Sequence, residues 1–174
     1  MFSGYNWLCN LLASNKRFDY IDLEDNSIQT GGGTAIPDFI TKNPSLQKLC
    51  LTKNNLNDED ATLISLALKH NTNLKWIHLE RNGITEIGER ALTKAIYDPT
   101  SLNSVADSNH TVCRIDGFNG NVEEFNNRPS LPDMCKNTGG WDPKSTRSMK
   151  IYHLLSNRNR EGSNVDTAFE CRVC

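Results

Sequence analysis

Four lines of this sequence can be laid over one another at a constant offset, and that constrains the fold more than anything else in the chain. The lines are "FDYIDLEDNSI" from Phe18, "LQKLCLTKNNL" from Leu46, "LKWIHLERNGI" from Leu74 and "LNSVADSNHTV" from Leu102, with starts 28 residues apart. Phe18, Leu46, Leu74 and Leu102 begin them, and Ile21, Leu49, Ile77 and Val105 follow three places on. Leu23, Leu51 and Leu79 take the sixth place, Asn26, Asn54 and Asn82 the ninth, and Ile28, Leu56, Ile84 and Val112 the eleventh. A short parallel strand turns alternate side chains inward, and an asparagine can hydrogen-bond the backbone where the chain leaves the sheet. One such unit cannot bury its own apolar face, so neighbouring units must stack.

The pattern resembles L-x-x-L-x-L-x-x-N-x-L, the signature of leucine-rich repeats. The second half of each unit predicts a helix: "GGTAIPDFI", "DATLISLAL" and "GERALTKAI" share one offset and carry apolar pairs at i, i+1, i+4, i+5. Pro37 falls early in its helix, where a missing N–H is tolerated. A 28-residue unit with a full helix is similar to the ribonuclease-inhibitor type of leucine-rich repeat. That resemblance covers residues 4–112 and implies an α/β fold: a short right-handed α/β solenoid, or horseshoe segment. Parallel strands would line its concave face and helices its convex face. The register also reaches backwards, because Gly4 lies 28 residues before Gly32 and Trp7, Leu8, Leu11 and Leu12 fall on helical apolar positions. Residues 1–17 therefore read as a helical half-repeat, either an N-terminal cap or the edge of a longer array.

The expected organisation is repeats over residues 18–112, with starts at 18, 46, 74 and 102, then a loop-rich segment and capping helix over 113–158, then a polar mobile tail over 159–174. In this register Asp107 takes the place of Leu23, Leu51 and Leu79, and His110 the place of the asparagines. An inward-facing unpaired charge is costly. The stretch "SVADSNHTVC", with Asp107, His110 and Cys113, thus reads as a seam where the repeat stops and Asp107 and His110 satisfy each other or the backbone. Residues 114–143 are rich in Asn, Gly and Pro and read as loop. Residues 144–158 carry Met149, Ile151, Tyr152, Leu154 and Leu155 on a helical stripe with Ser145 as N-cap, and a solenoid end needs such a cover.

A formal net charge of −2 at pH 7 gives no pointer to nucleic acid or to an anionic membrane. No apolar run approaches the ~20 residues that span a bilayer. The start "MFSGYNWLCNLLASNKR" lacks the early basic region of a signal peptide, so cytoplasm or nucleus is expected. Six irregularly spaced cysteines do not form a secreted disulfide framework. "NHT" at Asn109 is a formal glycosylation acceptor that means little without a secretory signal. The ending "CRVC" offers half a zinc site with no second pair, and an atypical prenylation box at Cys171 that would alone bring the chain to a membrane; an idle tail is expected. The glycines of "TGGGTA" (residues 30–35) lack dinucleotide or P-loop spacing and align with strand-to-helix turns.

Side chains between the buried leucines point to the open face. One column runs Tyr20, Lys48, Trp76, Ser104; the next Asp22, Cys50, His78, Ala106; then Glu24, Thr52, Glu80, Ser108; and nearer the turn Asp25, Lys53, Arg81, Asn109. The expected function is non-catalytic binding of a protein partner through Tyr20, Asp22, Glu24, Lys48, Cys50, Lys53, Trp76, His78, Glu80 and Arg81, with no cofactor and no metal. Trp and Tyr are the commonest interface anchors. Cys50 and His78 are neighbours across adjacent strands, as a thiolate–imidazolium pair requires, but Asp22 adjoins the cysteine and not the histidine it would have to orient. The same trio makes only an incomplete, exposed metal site. The alternative function is regulatory: action on a small GTPase, for which Arg81 is the nearest arginine, or substrate recognition within a larger complex.

Overall fold

The computed structural model describes residues 9–12, 17–112, 114–116 and 143–162. Its strands are β1 (Tyr20–Asp22), β2 (Lys48–Cys50), β3 (Trp76–His78) and β4 (Arg114–Asp116), in one parallel sheet ordered β1-β2-β3-β4. Between them lie the helices α1 (Ala35–Thr41), α2 (Asp58–Leu68), α3 (Glu86–Ile96) and α4 (Leu102–Ala106), and α5 (Pro143–Gly162) follows β4. Residues 9–12 are helical and Leu12 is buried, as the backward register predicts. Trp7, Cys113, residues 117–142 and the tail with Cys171 lie outside the described residues.

The first three strands pair in the predicted register: Tyr20 with Lys48 with Trp76, and Asp22 with Cys50 with His78. Pairing continues past each strand, since Leu23 and Asp25 donate to Cys50 and Thr52, and Leu51 and Lys53 donate to His78 and Glu80. Alternation then sorts the side chains. Ile21, Leu49 and Ile77 turn into the core with Leu23, Leu51 and Leu79. They meet Ile36, Phe39 and Ile40 of α1, Ile64, Ala67 and Leu68 of α2, and Leu92, Ala95 and Ile96 of α3. Each fully buried leucine, isoleucine or phenylalanine contributes ~1.5–3 kcal/mol. "TGGGTA" is a turn, as expected, with Gly31 and Gly32 at φ 59° and 82°, a region closed to most side chains.

The repeated asparagine joins one unit to the next. The Asn54 Nδ2 donates to the Leu23, Leu51 and Thr52 carbonyls at 2.8, 3.0 and 3.2 Å. Its Oδ1 accepts from the Asn26 and Ile28 N–H groups at 3.2 and 2.9 Å. Asn82 repeats this one unit on, donating to Leu51, Leu79 and Glu80 and accepting from Leu56. Asn26 donates only to Glu24 within its own unit. Asp25, Lys53 and Arg81, each just before its asparagine, are all left-handed at φ 58°, 53° and 54°. That conformation costs ~1–2 kcal/mol in a residue with a side chain, and the asparagine bonds hold it.

The fourth unit departs from expectation. Leu102–Ala106 is the helix α4, not a strand: the Ser101 hydroxyl caps it by accepting from the Ser104 N–H, Val105 is buried and Leu102 is exposed. A Leu-x-x-Val spacing satisfies a helical turn as readily as a strand, and the capping serine decides it. The sheet does not stop there. It resumes at β4, so Ile115 pairs with Ile77 and packs in the core. A second asparagine series gives the true register. Asn71 donates to the Ile40 carbonyl and accepts from Asn73 and Leu74 N–H. Asn109 likewise donates to Leu68 and Asn71 and accepts from Thr111 and Val112. Val112 is therefore the counterpart of Leu74, 38 residues on instead of 28, and α4 lies in an insertion. The expected start at 102, the seam at 113 and the assignment of 114–116 to loop are all overturned.

Of the two expected outcomes for Asp107 and His110, His110 takes the backbone one and the two do not pair. Asp107 is exposed beyond the end of α4, and the His110 Nε2 lies 3.2 Å from the Ala106 carbonyl oxygen. The α5 helix covers the insertion as the expected cap does, but it begins at Pro143, which places Ser145 inside it, and it extends past 158 into the expected tail. Its buried stripe is Thr146, Lys150 and Leu154, while Tyr152 and Leu155 are 63% and 43% exposed. Leu154 meets Tyr97 and Val105, and the Lys150 ammonium donates to the Ile96 and Asn109 carbonyls at 2.5 and 2.7 Å.

Two outcomes follow. Asn54→Ala strips five hydrogen bonds from buried backbone and should lower unfolding free energy in urea by about 3 kcal/mol, against under about 1 kcal/mol for Asn26→Ala. Burial, and the charges of Lys150 and Arg147, push the His110 imidazole from 6.5 down to about 4. The unfolded chain therefore takes up a proton between those values that the folded chain refuses, so stability is full above 6.5 and falls as pH drops toward 4. His110→Gln should flatten that fall in urea midpoints measured across the window.

Candidate functional site

The exposed face of the sheet carries four in-register rows, and their internal bonding differs. The first is Tyr20, Lys48, Trp76 and, by register, Arg114. Tyr20 and Trp76 are 46% and 38% exposed, and the Lys48 Nζ sits 4.9 Å from the centre of the Tyr20 ring. A cation over a ring face is held by the ring quadrupole. The Tyr20 hydroxyl donates to Asp22 Oδ2 at 2.6 Å. That bond, first among its causes, pushes the phenol up to about 12 and lowers the Asp22 carboxyl below its usual range.

The second row, Asp22, Cys50, His78 and Asp116, is occupied with itself. The Asp22 Oδ1 accepts from the Glu24 N–H, and His78 Nδ1 is paired with Asp116 Oδ2. Asp116 is thus the carboxylate that orients the histidine, a group sequence reasoning missed because it placed β4 ten residues too early. The Nε2 of His78 is buried without a hydrogen-bond partner among the described residues. Cys50, expected on the binding surface, is 6% exposed instead. It is shorter than its row neighbours, and its Sγ lies 3.6 Å from the Thr52 hydroxyl. The Sγ and the carboxylates of Asp22 and Glu24 lie within 4.8 Å of one another, so Glu24 stands in the metal-like trio where His78 is expected.

In the third and fourth rows Glu24 pairs with Lys53 at 2.8 Å, with both side chains partly exposed. Thr52 is buried, whereas Glu80 and Arg81 are exposed. Arg81 shares its left-handed backbone with Asp25 and Lys53, so its geometry is a property of the repeat and sets it apart in no way. Ser104, Ala106, Ser108 and Asn109, expected to continue the rows, lie in α4 and the turn after it. Between the rows is an open depression of about 460 Å³ lined by Tyr20, Lys48, Cys50, His78, Glu80 and Arg81 among others. Of the ten expected binding residues all but Asp22 and Trp76 border it.

No protein-family model matches the chain. A stretch of 95 residues, 53% of this chain, is 30% identical to "NACHT, LRR and PYD domains-containing protein 5" of Mus musculus. The chain spans 8% of that relative's length. Among solved structures, "Leiomodin-1 Actin-Binding Site 2 (ABS2)" superposes at a TM-score of 0.47 with 12% identity, over 92% of each chain. The sequence match supports leucine-rich repeats and leaves the ribonuclease-inhibitor type undetermined. No helix among the described residues is long and apolar enough to cross a membrane.

The Tyr20–Asp22 bond has a direct readout. In Asp22→Asn the phenol loses a charged acceptor, so Tyr20 should ionise nearer the ordinary 10.0 than about 12. Phenolate absorbance measures this, with Tyr20→Phe identifying the component.

Proposed function

We propose that this chain is a non-catalytic protein-binding module, a leucine-rich-repeat solenoid of the ribonuclease-inhibitor type that holds a protein partner on the concave face of its sheet. The observation that carries the reading is the first row: two large aromatic side chains, both well exposed, flanking a lysine on adjacent strands. Aromatic anchors in such a cluster supply most of the energy of protein interfaces. The 28-residue offset, the parallel sheet with helices packed side by side and the likeness to a leucine-rich-repeat protein all support it.

Affinity capture from the protein's own cell, with wild type beside a Tyr20→Ala/Trp76→Ala double variant, tests the reading. Partners held by wild type should be lost by the variant while its urea unfolding curve stays unchanged. Retention of every partner would remove this face from consideration.

A further inference from the structure

The chemistry of the first row says more about the partner than that it is a protein. Resting on the binding reading above, we propose that the segment docked on this row is acidic, with carboxylates placed against Lys48 and Trp76.

Three acids of the open face already hold partners within it. Asp22 receives the Tyr20 hydroxyl and the Glu24 N–H, Glu24 holds Lys53, and Asp116 holds His78. The first row is different. Among the described residues the Lys48 ammonium makes no ion pair or hydrogen bond; it lies over the Tyr20 ring, and its charge acts on Asp22 from beyond contact distance. The Trp76 indole N–H, a donor with no acceptor capacity, makes no hydrogen bond among the described residues either. The Tyr20 hydroxyl already donates its hydrogen to Asp22, so the ring offers a face and no further hydrogen to donate. The row therefore presents aromatic surface and unspent donors and no unspent carboxylate. Its complement is a group rich in acceptors and negative in charge, backed by carbon that can lie on the rings.

Aromatic side chains interleaved with cations also suit a single-stranded nucleic acid, whose bases stack and whose phosphates pair with lysines. The neighbouring rows argue against that occupant. Asp22, Glu24 and Glu80 are exposed beyond the first row, and a continuous polyanion crossing the face would meet them. A protein segment can hold its acids over one row and present other side chains to the next.

The test uses the full chain and three fluorescein-labelled probes of equal length: a Glu/Leu/Phe peptide, its Lys/Leu/Phe counterpart and an oligouridylate. Anisotropy should show binding of the acidic peptide, weakened by salt and lost about tenfold in Lys48→Glu. Lys48→Met, which keeps the length and removes the charge, should lie between wild type and Lys48→Glu. Trp76→Ala should weaken the acidic peptide too. The proposal falls if the acidic peptide does not bind, if the basic peptide or the oligouridylate binds as well, or if both Lys48 variants bind like wild type. The captured partner separates this failure from that of the binding reading. A partner lost by Tyr20→Ala/Trp76→Ala but kept by Lys48→Glu leaves the face intact and removes only its acidic occupant. A partner kept by all variants removes both.

Discussion

A side-chain amide that reaches the backbone of two units at once is the interaction on which the rest of this structure depends. Asn54 is 5% exposed and bonds the Leu23, Asn26 and Ile28 backbone of one unit together with Leu51 and Thr52 of its own. A chain leaving a parallel sheet strands N–H and C=O groups in the core, and buried backbone groups demand partners. An asparagine supplies two hydrogens and an acceptor from one short side chain. Because its bonds bridge units, it also sets the distance between turns of the chain. The leucines supply the greater energy, but they tolerate a shift along their rows that the amide does not. With exit and spacing fixed, alternate strand residues have no choice but to form rows on the open face.

Those rows are where the fold becomes a surface. Parallel pairing in register turns a column of residues 28 apart in sequence into side chains one strand apart, ~4.8 Å, in space. Neighbouring rows then diverge in character. The second closes on itself through His78–Asp116 and takes the Tyr20 hydroxyl of the first through Asp22, while Lys48 and Trp76 of the first make no side-chain hydrogen bond or ion pair among the described residues. A surface divided this way presents one stripe of unspent donors beside a stripe whose bonds are already made.

The strands at 20–22, 48–50 and 76–78, their register and their helices are all legible in the sequence, since burial repeats at a fixed period and each side chain's orientation follows from it. The rows of the first three strands are legible for the same reason. What the period conceals is the insertion. Leu102, Val105 and Val112 continue the apolar spacing by coincidence, and Asn109 falls one place before the position where the 28-residue register expects an asparagine. The legible clue is the shorter motif Asn-x-x-Leu at Asn71, repeated as Asn-x-x-Val at Asn109, since those amides make equivalent bonds. Asp116 was out of reach for that reason alone, and the burial of Cys50 depends on the bulk of its neighbours, which no column alignment weighs. On α5 the stripe misleads because a lysine takes a buried place that hydropathy assigns to an apolar residue.

That lysine has a mechanical meaning. Its ammonium touches the carbonyl of Ile96, where the insertion leaves α3, and that of Asn109, where the chain rejoins the repeat. The insertion is therefore a loop whose neck is tied by a single positive charge from a distant helix. Beside that tie, Arg147 and Arg158 donate to the Ala106 and Thr100 carbonyls, and Tyr97, Val105 and Leu154 form a small cluster separate from the main core. Local opening follows such divisions of contact. The insertion and α5 therefore share a contact set of their own beside the asparagine-bonded sheet, and the lysine ties that set back to the point where the chain leaves and rejoins the repeat.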